Sequence, residues 1–241
     1  MDASRRTSLL AGLFFILTFV ASIPAALFLY KDVLDNSNFV IGTGGDTRVY
    51  VGALLEVITV IANIATAVVL FPIVKRASES VAIGYVASRT LESTLIVVGL
   101  ISLLAVVTMR LDFAGAAGAD PAMYVTAGKS LVAIHDATFL LGPAFCAGFG
   151  TGILLGYLMY RSELVPRPWA VLGMIGGTMA FATATAVLFG AYEQASSINV
   201  LFTLPEIVWE LFLGIYLTFW GFRSESPVLR DPGLGAVAAT V

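Results

Sequence analysis

The chain has 241 residues and a net charge of −3, with 59% hydrophobic and only 12% charged residues. Soluble domains carry about 25% charged residues because a water-facing surface needs them, so most of this chain must face lipid or other buried helices. The small acidic excess gives no nucleic-acid footprint. The single Cys146 excludes an intrachain disulfide and any cysteine-based metal site, and the single His135 excludes three-His zinc and bis-His haem ligation.

In chain order, Arg5 and Arg6 precede a first apolar run, Leu9–Tyr30. Its small-residue stretch Ala21-Ser22-Ile23-Pro24-Ala25 resembles a cleavage site, but the run continues through Leu27-Phe28-Leu29, past a signal h-region of about 7–15 residues. An uncleaved anchor is expected. Five further runs follow at Val51–Val74, Val81–Met109, Leu131–Tyr160, Pro168–Tyr192 and Ile198–Phe222. Each is long enough to cross about 30 Å of hydrocarbon at about 1.5 Å per residue. Barrel strands would alternate over about ten residues, whereas these runs are uninterrupted, so the fold class is an all-α, polytopic bundle of six transmembrane helices within residues 1–223.

Pro72, Pro143 and Pro205 fall inside apolar runs and are expected to kink them. Gly148, Gly152 and Gly156 repeat along the fourth run and Gly173, Gly177 and Ala180 along the fifth, a spacing that lets helix backbones approach closely. The loops around NSNFVIGTGGD and FAGAAGADPAM are irregular by composition. Residues 224–241 lack a core-forming pattern and are expected to be a disordered cytoplasmic tail.

Lysine and arginine counts set the topology. With the N-terminus inside, Arg5, Arg6, Lys75, Arg76, Arg161, Arg167, Arg223 and Arg230 lie inside, against Lys31, Arg48, Arg110 and Lys129 outside. A multi-pass protein of the cell inner membrane with both termini cytoplasmic is expected.

Seven ionisable side chains stay inside the predicted spans: Glu56, Arg89, Glu92, His135, Asp136, Glu206 and Glu210. Each costs about 2.5–3.5 kcal/mol at a helix centre, so together they mark a site. Glu56, Thr59, Asn63 and Thr66 follow one face of the second run, Arg89 and Glu92 are three apart, and Glu206 and Glu210 four apart. His135 and Asp136 are neighbours pointing about 100° apart and are not expected to form a dyad. Five carboxylates share one arginine, which can pair with two at most. The others must be protonated, hydrated, or neutralised by a bound cation. Helix depth places the acids in the outer half above Arg89, as the wall and floor of one cavity open to the exterior.

The segments ALLEVITVIANIATAVVLFPIVKR, SRTLE, YRSELVPR and LPEIVWELFLGIYLTFWGF resemble the bacterial membrane proteins grouped as domain-of-unknown-function family 4386, over Ser8 to Phe222. The resemblance implies a helical bacterial inner-membrane protein and no activity.

From the residues, the expected function is binding or translocation of a proton, a cation or a small cationic solute. Glu56, Asn63, Arg89, Glu92, His135, Asp136, Glu206 and Glu210 line the polar cavity. Besides the lipid bilayer, that proton or solute is the only partner expected, and no cofactor is expected. One alternative is an intramembrane, metal-assisted hydrolase of lipid-like substrates, with His135, Asp136 and Glu210 as candidate ligands. The chain lacks HExxH and paired Glu-x-x-His elements, a G-x-S-x-G elbow and a Walker-type loop. The other is a structural or regulatory protein whose polar core only fixes helix packing, with Glu206 bonded to backbone freed by Pro205.

Overall fold

Asp2 starts the first helix, its carboxylate accepting a hydrogen bond from the Arg5 amide at 2.7 Å. In the computed structural model, which describes residues 2–230, six helices are long and apolar enough to cross a membrane. They are Ala3–Leu29, Asp46–Val74, Glu79–Gly115, Pro121–Ser162, Arg167–Leu188 and Ser197–Phe219, here the first to sixth spans. The protein is all-α, with no strand among the described residues.

The helices outrun the apolar stretches that announce them. The third span has 37 residues, or about 55 Å at 1.5 Å per residue, far more than hydrocarbon requires. The fourth span starts early because Pro121 occupies its first turn and the Asp120 carboxylate accepts from the Ala122 amide at 2.9 Å.

The most extensive packing is between spans consecutive in the chain, first on second through fifth on sixth, and the sixth returns to the first. The result is a closed antiparallel ring. Both ends of the described chain lie on one side, where the Arg5 guanidinium donates to the carbonyls of Leu217 at 2.9 Å and Thr218 at 2.6 Å, capping the sixth span. Between 28% and 44% of each span's most apolar window is buried within the protein, so the larger part faces outward. Exposed Leu13, Val20, Leu54, Ile61 and Ile101 on that surface suit lipid contact.

Two apolar clusters fill the ring. One, at the end holding the termini, includes Phe15, Leu70, Leu158, Trp209 and Leu213. The other, at the loop end, includes Tyr30, Phe39, Val40, Leu103 and Val107. Arg89, Glu92, Asn63 and Glu206, all buried, lie between them.

Of the three prolines expected to kink their helices, Pro143 sits in a π-helical stretch, Leu140–Cys146, which is followed by a second, Gly148–Leu155. Pro72 and Pro205 remain inside α-helix. Pro24 leads into a further π turn, Ala25–Leu29. At Pro143 the wider helix accommodates a ring that would otherwise clash with the preceding turn.

The tail expected to be disordered begins with residues docked on the bundle. Ser226 is buried and donates to the Ser162 carbonyl at 2.5 Å, and Val228 and Leu229 pack on the core. Residues 231–241 of that tail lie outside the described residues.

Candidate functional site

Arg89, on the third span, is 1% exposed. Its Nη1 donates to Glu92 Oε2 at 2.8 Å, one helical turn along the same face. Its Nη2 approaches Glu210 Oε1 of the sixth span at 3.4 Å without hydrogen-bond alignment. The guanidinium also lies over the Phe15 ring of the first span, 5.6 Å from its centroid. Glu92 is held from its other side by Asn63 Nδ2 of the second span, which donates to Oε1 at 3.1 Å. The polar face expected on the second span thus turns inward, with Thr59, Asn63 and Thr66 all buried.

Glu206 completes the layer. It lies one turn before Glu210 and is 4% exposed, yet neither carboxylate oxygen has a hydrogen-bond partner among the described residues. It therefore does not bond a backbone group freed by Pro205, as a purely structural role predicted. Glycines make its berth. A Cβ on Gly152 would come within 2.5 Å of Glu206 Oε2, and one on Gly176 within 2.7 Å of the Glu206 amide nitrogen. Trp209 Nε1 donates to the Thr151 carbonyl at 3.0 Å, fixing the sixth span to the π-helical stretch of the fourth.

Every span contributes to this layer, and it is under-satisfied. Among the described residues eight buried side-chain nitrogen or oxygen atoms lack a partner, and seven belong here: Arg89 Nε and Nη2, Ser93 Oγ, Thr151 Oγ1, both Glu206 oxygens and Glu210 Oε1. Native cores carry few such atoms, and each calls for an explanation. Their convergence on one layer marks it as the candidate site.

The remaining predicted residues form a second group toward the loops. Tyr30, just beyond the first span, donates its hydroxyl to Glu56 Oε2 at 3.0 Å. Burial first, and then the Glu56 charge, push the Tyr30 phenol well above its usual range, so it remains a donor. His135 is buried with its ring edge-on to Tyr30, centroids 6.0 Å apart. Gly52 leaves room for the Tyr30 ring, since a Cβ there would come within 2.5 Å of it.

The single acid-walled cavity expected from helix depth is therefore two groups. Glu92, Glu206, Glu210, Arg89 and Asn63 converge, while Glu56 and His135 meet around Tyr30 nearer the loops. Cavities of about 440 Å³ and 190 Å³ open at the loop end, and neither is lined by Glu92, Glu206 or Glu210. Glu56 and Asn63 share one face of the second span, so the groups are separated along the helix axis, by about 10 Å over seven residues, with no rotation between them. Asp136 is a further correction, because its side chain is 62% exposed. Freed at the surface, it swings back to bring Oδ1 within 3.4 Å of His135 Nδ1, a contact not expected between neighbours. His135, Asp136 and Glu210 do not converge, and among the described residues no three His, Cys, Asp or Glu side chains are grouped to hold a metal.

Three residues do polar work that their positions in sequence do not announce. Tyr30 and Thr151 look like ordinary members of apolar runs. Arg110, counted as an outer-loop charge, is buried within the third span and pairs with Asp46 Oδ1 at 2.8 Å while donating to the Gly44 carbonyl. Gly45, at φ +99°, supplies the left-handed turn that starts the second span beside this pair. Arg110→Met is expected to cost about 1.5–3 kcal/mol by orphaning these acceptors, measured by thermal unfolding in detergent.

The fold and this layer define an integral membrane helical bundle with a buried charged centre. The chain belongs to the family DUF4386, a domain of unknown function, whose model matches residues 10–221. No curated protein and no solved structure matches it.

Proposed function

We propose that this protein binds, and passes across the membrane, a proton or a small cation at the Arg89, Glu92, Glu206 and Glu210 centre. The carrying observation is Glu206, a buried carboxylate with no partner beside an arginine already committed to two other acids. One guanidinium balances one carboxylate, so up to two negative charges remain for a mobile cation to neutralise, and leaving them bare in a buried layer is costly. Close packing of glycine backbone around Glu206 favours a proton or bare ion over a larger cationic solute. With the basic residues at the end that holds the termini facing the cytoplasm, the loop end faces outward from the inner membrane.

Glu206→Gln is the direct test because it preserves shape and removes the ionisable group. In lipid nanodiscs, infrared titration of the wild type is expected to show a protonated-carboxyl band that vanishes in E206Q, with liposome flux falling at least about tenfold, as expected on removing an acid–base group. Unchanged proton and cation binding in E206Q and E210Q would overturn the proposal. The metal-assisted hydrolase has no convergent ligand set in its favour. A purely structural core is favoured only by the Arg89–Glu92 pair, and it predicts stability changes without any change in binding.

A further inference from the structure

We infer that the Asp136, His135, Tyr30 and Glu56 group is a proton-entry relay that supplies the inner centre along the polar face of the second span. The inference rests on the ion-binding role proposed above and adds the route and the ion, which on this route is a proton.

The relay starts at solvent. The cavity of about 190 Å³ at the loop end is lined by Asp35, Lys129 and Asp136, the charged groups at its mouth, together with apolar residues such as Val40 and Val132. Asp136 Oδ1 lies 3.4 Å from His135 Nδ1, so an exposed carboxylate touches a buried imidazole. His135 is packed edge-on against Tyr30 from the first span's end, and the Tyr30 hydroxyl donates to Glu56 of the second span at 3.0 Å, bringing that carboxylate to the same ring. The third span presents Gly99, where a Cβ would come within 3.4 Å of His135 Cδ2, and Thr138 of its own span donates to the His135 carbonyl. The titratable groups facing the imidazole are thus Tyr30, Glu56 and Asp136. Two acids flank a histidine, the side chain whose ordinary titration range suits shuttling.

The inward leg follows the second span. Glu56 and Asn63 are seven residues apart on one helical face, about 10 Å along the axis, with Thr59 between them, its hydroxyl donating to the Leu55 carbonyl at 3.1 Å and keeping a lone pair to accept. Asn63 is bonded to Glu92, and Glu92 to Arg89, which reaches Glu210. On the facing third span, Ser93 Oγ is buried beside Glu92 without a partner. Ordered water bridges buried polar groups that the protein leaves unpaired, as it does the Ser93 hydroxyl. A proton taken up at Asp136 passes to His135 Nδ1, the imidazole releases one to Glu56, and water along Thr59 and Ser93 carries it to the inner acids. Each transfer breaks one O–H or N–H bond and forms another, and no other reactant is needed.

The test is an acid jump on the intact protein in nanodiscs, following the carboxyl band defined by its loss in E206Q. H135Q, E56Q and D136N are expected to slow the appearance of the band at least about tenfold with unchanged final amplitude. In H135A, added imidazole is expected to restore the rate, which a structural role for His135 would not produce. D136N changes an exposed side chain and decides the matter if the buried variants do not fold. A wild-type rate in D136N, or in folded H135Q and E56Q together, overturns the relay and leaves the inner centre standing. Absence of any titrating carboxyl in the wild type removes the acceptor, and with it both the centre and its relay.

Discussion

Arg89→Met is expected to destabilise the folded protein by about 3–5 kcal/mol, the cost of breaking a buried ion pair by removing one partner. Among the described residues the guanidinium is the only positive group against Glu92 and Glu210, and Glu206 already lacks a hydrogen-bond partner. Methionine keeps much of the volume and the contact with Phe15 while leaving three carboxylates without a counter-charge. Adding E92Q and E210Q to the same chain is expected to recover most of the loss, because the problem is uncompensated charge rather than lost packing. Equilibrium unfolding in mixed micelles measures both values. A loss below about 1 kcal/mol, within the range of screened surface pairs, would mean that Arg89 does not hold these acids.

The second large effect is steric. A Cβ on Gly152 would lie 2.3 Å from Gly177 Cα and 2.5 Å from Glu206 Oε2. The first contact is backbone on backbone, so no rotamer change relieves it and the fourth and fifth spans must separate. Gly152→Ala is expected to cost about 1–3 kcal/mol by overpacking and to displace Glu206, altering the infrared band that defines it. Gly115→Ala serves as the control, because a Cβ there meets nothing within 4 Å, and it should change stability by less than about 0.5 kcal/mol. Equal stability of the two variants would show that the close approach of these spans is not what seats Glu206.

Particular residues show where the sequence was sufficient. Six uninterrupted apolar runs cannot satisfy their backbone in lipid except as helices, so the class of fold, the span count and the membrane setting follow from hydropathy alone. The i,i+3 spacing of Arg89 and Glu92 placed them on one face, and they pair. The glycine repeats of the fourth and fifth spans announced close packing, and Gly148, Gly152 and Gly177 meet there. Periodicity within one helix is local geometry, and local geometry is written in one stretch of sequence.

What lies between helices was not. Only the tertiary structure closes the ring in chain order, brings Glu210 to Arg89, leaves Glu206 without a partner, and moves Glu56 and His135 to a separate group around Tyr30. Each of those relations depends on how one helix is rotated and offset along its axis against another, and on how far a π-helical stretch or a glycine pair lets the two approach. Both are fixed by the packing of all six spans at once, so no single segment encodes them.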